Sequence, residues 1–66
     1  MIAKITFNGQ TIFVPCTQLR PYRHIVRLWN VPKTSYPDID ALLSHFTLLG
    51  NSVLISSRED IVIKVE

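Results

Sequence analysis

The dipeptide Asn8-Gly9 separates two runs of alternating apolar and polar residues, and it constrains the chain more than any other feature. A two-residue type I′ hairpin turn needs φ > 0 at both central positions, which asparagine and glycine tolerate best. The turn fixes the register. With Phe7 opposite Gln10, Ile5 faces Ile12 and Ala3 faces Val14 on one side of the ribbon, while Lys4 faces Phe13 and Thr6 faces Thr11 on the other. The first side is apolar and belongs in a core; the second is half polar. Pro15 has no N–H to give a ladder, so the second strand ends there or lies at an edge.

Residues 16–23, with Pro21 and two arginines, read as a connection, and 24–31 as a third strand stopped by Pro32. In that strand Val26 and Leu28 point one way, and Ile25, Arg27, Trp29 and Val31 the other. A strand apolar on both faces is central in its sheet or carries a binding surface. Ile39, Leu42, Leu43, Phe46 and Leu49 follow one face of a helix over 37–49, with Asp38, Asp40, Ser44, His45 and Thr47 opposite. Pro37 suits its first turn and Gly50 its C-terminus, and Phe46 is the expected anchor to the sheet. Strands over 52–56 and 61–65 follow. If they form a hairpin, Val53 and Ile55 share a face with Ile61, Ile63 and Val65 when the loop has an odd number of residues, three being favoured. The expectation is one α+β domain over residues 1–66, order β-β-β-α-β-β, with the helix on one face of a small antiparallel sheet.

A chain of 66 residues has room for one core. An enclosed active site of roughly 300 Å³ or more is hard to build from one sheet and one helix, which points away from an enzyme and from a small-molecule substrate. Cys16 and His24 are the candidate nucleophile and base, without a third group to orient the histidine; a structural cysteine is the simpler reading. His45 reads as a dipole partner near the helix C-terminus, and Asp38 and Asp40 as first-turn acids rather than a carboxylate pair. Two histidines and one cysteine without ligand spacing imply no metal site, and no cofactor is expected. With no long apolar run and no secretory pattern after Met1, the expected location is cytosolic or nuclear.

Because one helix covers one face of a sheet, the other face, with Lys4, Phe13, Arg27, Trp29, Leu54, Val62 and Lys64, should meet solvent or a partner. Together with Arg20 and Arg23 from the connection, the candidate partner-binding residues are Lys4, Phe13, Arg20, Arg23, Arg27 and Trp29. Such a mixture suits Trp and Arg anchors of a protein interface, or aromatics that stack bases while cations hold phosphates. A third possibility is a few scattered apolar residues on an ordinary surface, or a Trp29 buried by the 16–23 loop. Charge is unevenly spread. Residues 1–37 carry five cations and no acid, whereas 38–66 carry two cations and five acids. That asymmetry suits an acidic partner or contact with a second copy.

The stretch from Lys4 to Cys16 resembles the opening of ubiquitin-like interaction domains of the Phox/Bem type, including the N-terminal oligomerisation domain of partitioning-defective polarity scaffolds, which also runs strand, glycine turn and a strand ending in Val-Pro-Cys. Arg23 to Leu28 and Pro37 to Leu43 look like that domain's third strand and acid-rich second helix. The resemblance implies front-to-back association through a basic and an acidic surface. Val26 to Val31, Phe46, Gly50 and 58–65 are similar to the first two-thirds of an RNA-recognition motif, with Arg27, Asp60 and Val62 where that family carries stacking aromatics. The functional expectation is therefore a small non-enzymatic interaction module, self-associating or binding an acidic partner, compatible with an inhibitor encoded by a virus or mobile element. The alternative is a small basic nucleic-acid binder.

Overall fold

The computed structural model describes residues 1–44 and 46–66. Seven strands occur among them: β1 (Ile2–Phe7), β2 (Gln10–Pro15), β3 (Gln18–Pro21), β4 (Ile25–Trp29), β5 (Thr47–Leu49), β6 (Ser52–Ser56) and β7 (Ile61–Val65). A 3₁₀ turn (Lys33–Ser35) leads into a single α-helix, α1 (Tyr36–Leu43), between β4 and β5. All pairings are antiparallel, in two sheets of order β2-β1-β7 and β3-β4-β6-β5. The class is α+β as expected, but the single sheet is replaced by two. No helix among the described residues is long and apolar enough to cross a membrane.

The first hairpin has the register that its turn dictates, from Phe7 opposite Gln10 to Ala3 opposite Val14. Asn8 and Gly9 lie at φ 53° and 77°, the left-handed pair a type I′ turn requires. On the outer face the Thr6 and Thr11 hydroxyls are 3.1 Å apart. A Cβ on Gly9 would meet nothing within 4 Å, so the cost of Gly9→Val comes from backbone conformation. Forcing a β-branched residue to positive φ should destabilise the domain by about 1 kcal/mol or more. A clear drop in melting temperature is expected; an unchanged one would place the turn elsewhere.

The structure departs from expectation at the end of the helix, in the 16–23 connection and in the pairing of the last two strands. Gly50 does not end a helix. It sits at φ 61° in the two-residue Gly50-Asn51 turn joining β5 to β6, with positive φ at Gly50 and not at Asn51, the pattern of a type II′ hairpin. The helix ends earlier, at Leu43, where Ser44 takes φ 65° and its N–H donates to the Asp40 carbonyl at 2.9 Å. Thr47 to Leu49 are thereby freed to form an edge strand, and Leu49, expected on the helix's apolar face, is 51% exposed. The connection 16–23 contains β3, in which Leu19 pairs with Leu28. The last two strands are not a hairpin either. β6 pairs with β4 and β5, while β7 crosses to the other sheet and pairs with β1. Loop parity therefore places no constraint on them, and the connection holds four residues, 57–60.

One core lies between the sheets. Ala3, Ile5 and Val14 enter it from the first sheet and Val26, Leu28, Val53 and Ile55 from the second; Ile39, Leu42 and Leu43 of α1, which lies against β2, complete it. The helix therefore packs beside β2 instead of roofing a sheet, and the second sheet covers the face that a helix was expected to cover. Phe46 packs at the margin of this core, its ring 5.9 Å from that of Tyr36.

Candidate interaction surface

The outer face of the second sheet is built by strand alternation around β4. Val26 and Leu28 are buried, so Ile25, Arg27 and Trp29 point outward and are half-buried. β3 sets Arg20 opposite Arg27 and Gln18 opposite Trp29; β6 sets Leu54 opposite Arg27. The Tyr22 N–H donates to the Ile25 carbonyl at 2.7 Å, which extends the alignment one pair past β3 and puts Tyr22 on the same face. Arg23 follows, exposed, in the β3–β4 turn.

The Arg27 guanidinium carbon stands 4.5 Å from the Trp29 ring centroid, a cation–π stack. Arg27 Nε is buried without a hydrogen-bond partner among the described residues. The four strands of this sheet contain two arginines and no acidic residue, so nothing on them offsets the repulsion between Arg20 and Arg27, worth a few tenths of a kcal/mol to about 1 kcal/mol. Stacking restricts the guanidinium's rotamers and fixes the plane in which its terminal N–H groups can meet a carboxylate or phosphate.

The candidate residues do not form one face. Arg20, Arg27 and Trp29, with Leu54, lie on the second sheet, whereas Lys4 and Phe13, with Val62 and Lys64, lie on the outer face of the first. There Phe13, 55% exposed, pairs with Lys4, which also faces Lys64. Like alternation in two strands does not put them in one sheet, and here β1, β2 and β7 form one sheet while β3, β4, β5 and β6 form the other. Gln18 and Tyr22 join this face because 16–23 holds a strand where a connection is expected, and the sequence signal for it is the alternation of Gln18, Arg20 and Tyr22 with Leu19 and Pro21.

Cys16 is buried where β2 turns into β3, and His24 lies beyond the far end of β3, so the structure does not bring the two together. Burial pushes the Cys16 thiol up, against the opposing pull of the Met1 ammonium. A raised thiol pKa means the unfolded chain ionises first, so the stability it contributes is present at neutral pH and lost as pH rises through the folded value. Two results are expected: Cys16 labels with a thiol reagent at least about tenfold more slowly in the folded than in the urea-unfolded chain, and melting temperature falls into alkaline solution by less in Cys16→Ala. Equal labelling rates would contradict the burial. The expectation for His45 lies outside the described residues. No three His, Cys, Asp or Glu side chains among the described residues are placed to hold a metal. A cavity of about 210 Å³ opens between the end of α1, β5, β6 and the start of β7, lined by Leu43, Phe46, Leu54 and Ile55 with Arg58 of the β6–β7 connection and Ile61 of β7. It is smaller than the usual small-ligand site of roughly 300 to 1,000 Å³.

Comparison of the chain with family models, curated proteins and solved structures finds no match.

Proposed function

We propose that the chain is a non-catalytic interaction module that presents the outer face of its second sheet to an acidic protein partner. One observation carries this reading: Arg27, stacked on Trp29 with its Nε buried and unpartnered among the described residues, faces Arg20 on strands without an acid. A carboxylate placed between the arginines would relieve their repulsion and accept a bidentate hydrogen bond, and Trp and Arg are the side chains that most often anchor interfaces. The same stack favours a protein over a nucleic acid. Arg27 occupies one ring face of Trp29, and Phe13 stands on the other sheet, which breaks up the run of open aromatic faces that successive bases need.

The test is a titration of the labelled chain with a glutamate-rich peptide, a lysine-rich peptide, and single-stranded and duplex oligonucleotides at low and physiological salt. Binding to the acidic peptide, weakened by salt and absent for the basic peptide, is the expected result. Tighter binding to oligonucleotide than to acidic peptide would transfer the site to nucleic acid, and no binding to any anion would overturn it.

A further inference from the structure

The cavity at the end of α1 exists because β5 is shorter than the strand it pairs with. β5 begins at Thr47, opposite Leu54, so the next residues of β6, Ile55 and Ser56, pair with Val26 and Ile25 of β4 and have no strand on their other side among the described residues. The gap is floored by buried Leu43 and Ile55, with half-buried Phe46 and Ile61 beside them. Its exposed lining residues are Thr47, Ser56 and Arg58, which mark the mouth. Thr47 lies opposite Leu54 and Leu54 opposite Arg27, while Ser56 lies opposite Ile25, so this mouth borders the face that carries Arg20, Arg27 and Trp29. Leu54 belongs to both, as the cross-strand neighbour of Arg27 and as a wall of the cavity.

Size and charge together select the occupant. A volume of about 210 Å³ is too small for a typical free ligand, yet an apolar cavity of roughly 150 Å³ takes a benzene ring. One aromatic side chain therefore matches it. The cation at the mouth is already paired, since Arg58 bonds Asp60 at 3.2 Å, and the apolar floor and walls favour an uncharged group. Arg20 and Arg27, by contrast, have no acidic partner among the described residues. Arg27 lies one strand from Leu54 and two from Thr47, roughly 5 to 10 Å at about 4.8 Å per strand. Residues i and i+2 of an extended segment point to the same side about 7 Å apart. A segment whose carboxylate meets Arg27 thus carries the side chain two positions on to the mouth.

We propose that the acidic partner anchors one aromatic side chain in this cavity, two residues from the carboxylate that meets Arg27. The proposal rests on the acidic-partner reading and deepens it: charge brings a segment to the face, and the cavity sets which acidic segment stays. Two peptides of alternating glutamate and serine test it, identical except that the residue two beyond the central glutamate is phenylalanine in one and alanine in the other. Titrated into the isotope-labelled full chain, the phenylalanine peptide should bind about tenfold or more tightly, and it alone should shift the methyl signals of Leu43, Leu54, Ile55 and Ile61. Ser56→Trp sets a ring at the mouth and should abolish the difference between the peptides; Ser56 is exposed, so the chain should stay folded. Equal binding of both peptides to the wild-type chain would overturn the anchor and leave the acidic-partner reading standing, whereas binding of neither would overturn both. A phenylalanine peptide that binds more tightly but shifts methyl groups away from the cavity, or keeps its advantage in folded Ser56→Trp, would also overturn the anchor.

Discussion

Leu28→Ala is expected to leave little folded protein. Leu28 is fully buried at the centre of β4, with Leu19 opposite on β3 and Val53 opposite on β6, and it faces the first sheet across the shared core. Truncating such a side chain costs about 2 to 5 kcal/mol, because the lost transfer free energy is joined by the cost of the cavity left behind. A chain of this size has roughly 3 to 10 kcal/mol in total, so the loss approaches the whole. Phe46→Ala serves as the comparison. On the periodicity of the sequence it would rank with the core, but it sits at the margin against Tyr36, and the smaller destabilisation is expected there. Urea unfolding followed by amide dispersion checks both. A Leu28→Ala variant that melts cooperatively within about 1 kcal/mol of wild type would contradict the two-sheet core.

The second large effect is on binding, and it should separate from stability. Arg27→Glu removes the stack on Trp29, which costs about 0.5 to 1 kcal/mol at a partly exposed site. The new carboxylate faces Arg20 across β3 and β4, however, and replaces a repulsive pair by an attractive one. Stability should thus change little. Affinity for an acidic peptide should fall by about tenfold or more, since the centre of the face exchanges a positive charge for a negative one and loses its bidentate donor. Trp29→Ala should weaken the same interaction by about 2 kcal/mol, as a central anchor does, and should also lower stability because the ring is half-buried. If Arg27→Glu unfolds the chain or leaves peptide affinity intact, Arg27 is a structural residue and the proposed face is wrong.

The local rules of the chain were legible, and its long-range partners were not. Asn8-Gly9 fixes a hairpin because the turn type, the strand twist and the apolar alternation all demand one register. Pro37 lies in the first turn of a helix that begins at Tyr36, as its fixed φ suits, and the buried triplet Ile39, Leu42 and Leu43 follows from helical spacing. The end of the helix did not, because Phe46 and Leu49 continue the helical period by coincidence while Gly50-Asn51 closes a hairpin; a glycine after an apolar run suits either use. The sharper loss concerned the sheets. Strand alternation tells which residues share a side of one strand and is silent about which strand lies beside it, so β6 and β7, adjacent in sequence, were paired although they belong to different sheets. That is also why Lys4 and Phe13 were grouped with Arg27 and Trp29. Arg20 was recognised by its charge and Tyr22 was not, since the two turns of direction around Thr17 and Arg23 that make β3 a strand are set by contacts with β4, among them the Thr17 N–H bonded to the Trp29 carbonyl at 3.0 Å.

Isotope-labelled chain titrated with a glutamate-rich peptide and followed by amide and indole chemical shifts tests the central claim most directly. The face of the second sheet predicts shifts concentrated on Arg20, Tyr22, Arg27 and the Trp29 indole, with Lys4, Thr6 and Phe13 unmoved. Shifts centred on Lys4 and Phe13, or a Trp29 indole that stays silent at saturation, would contradict it.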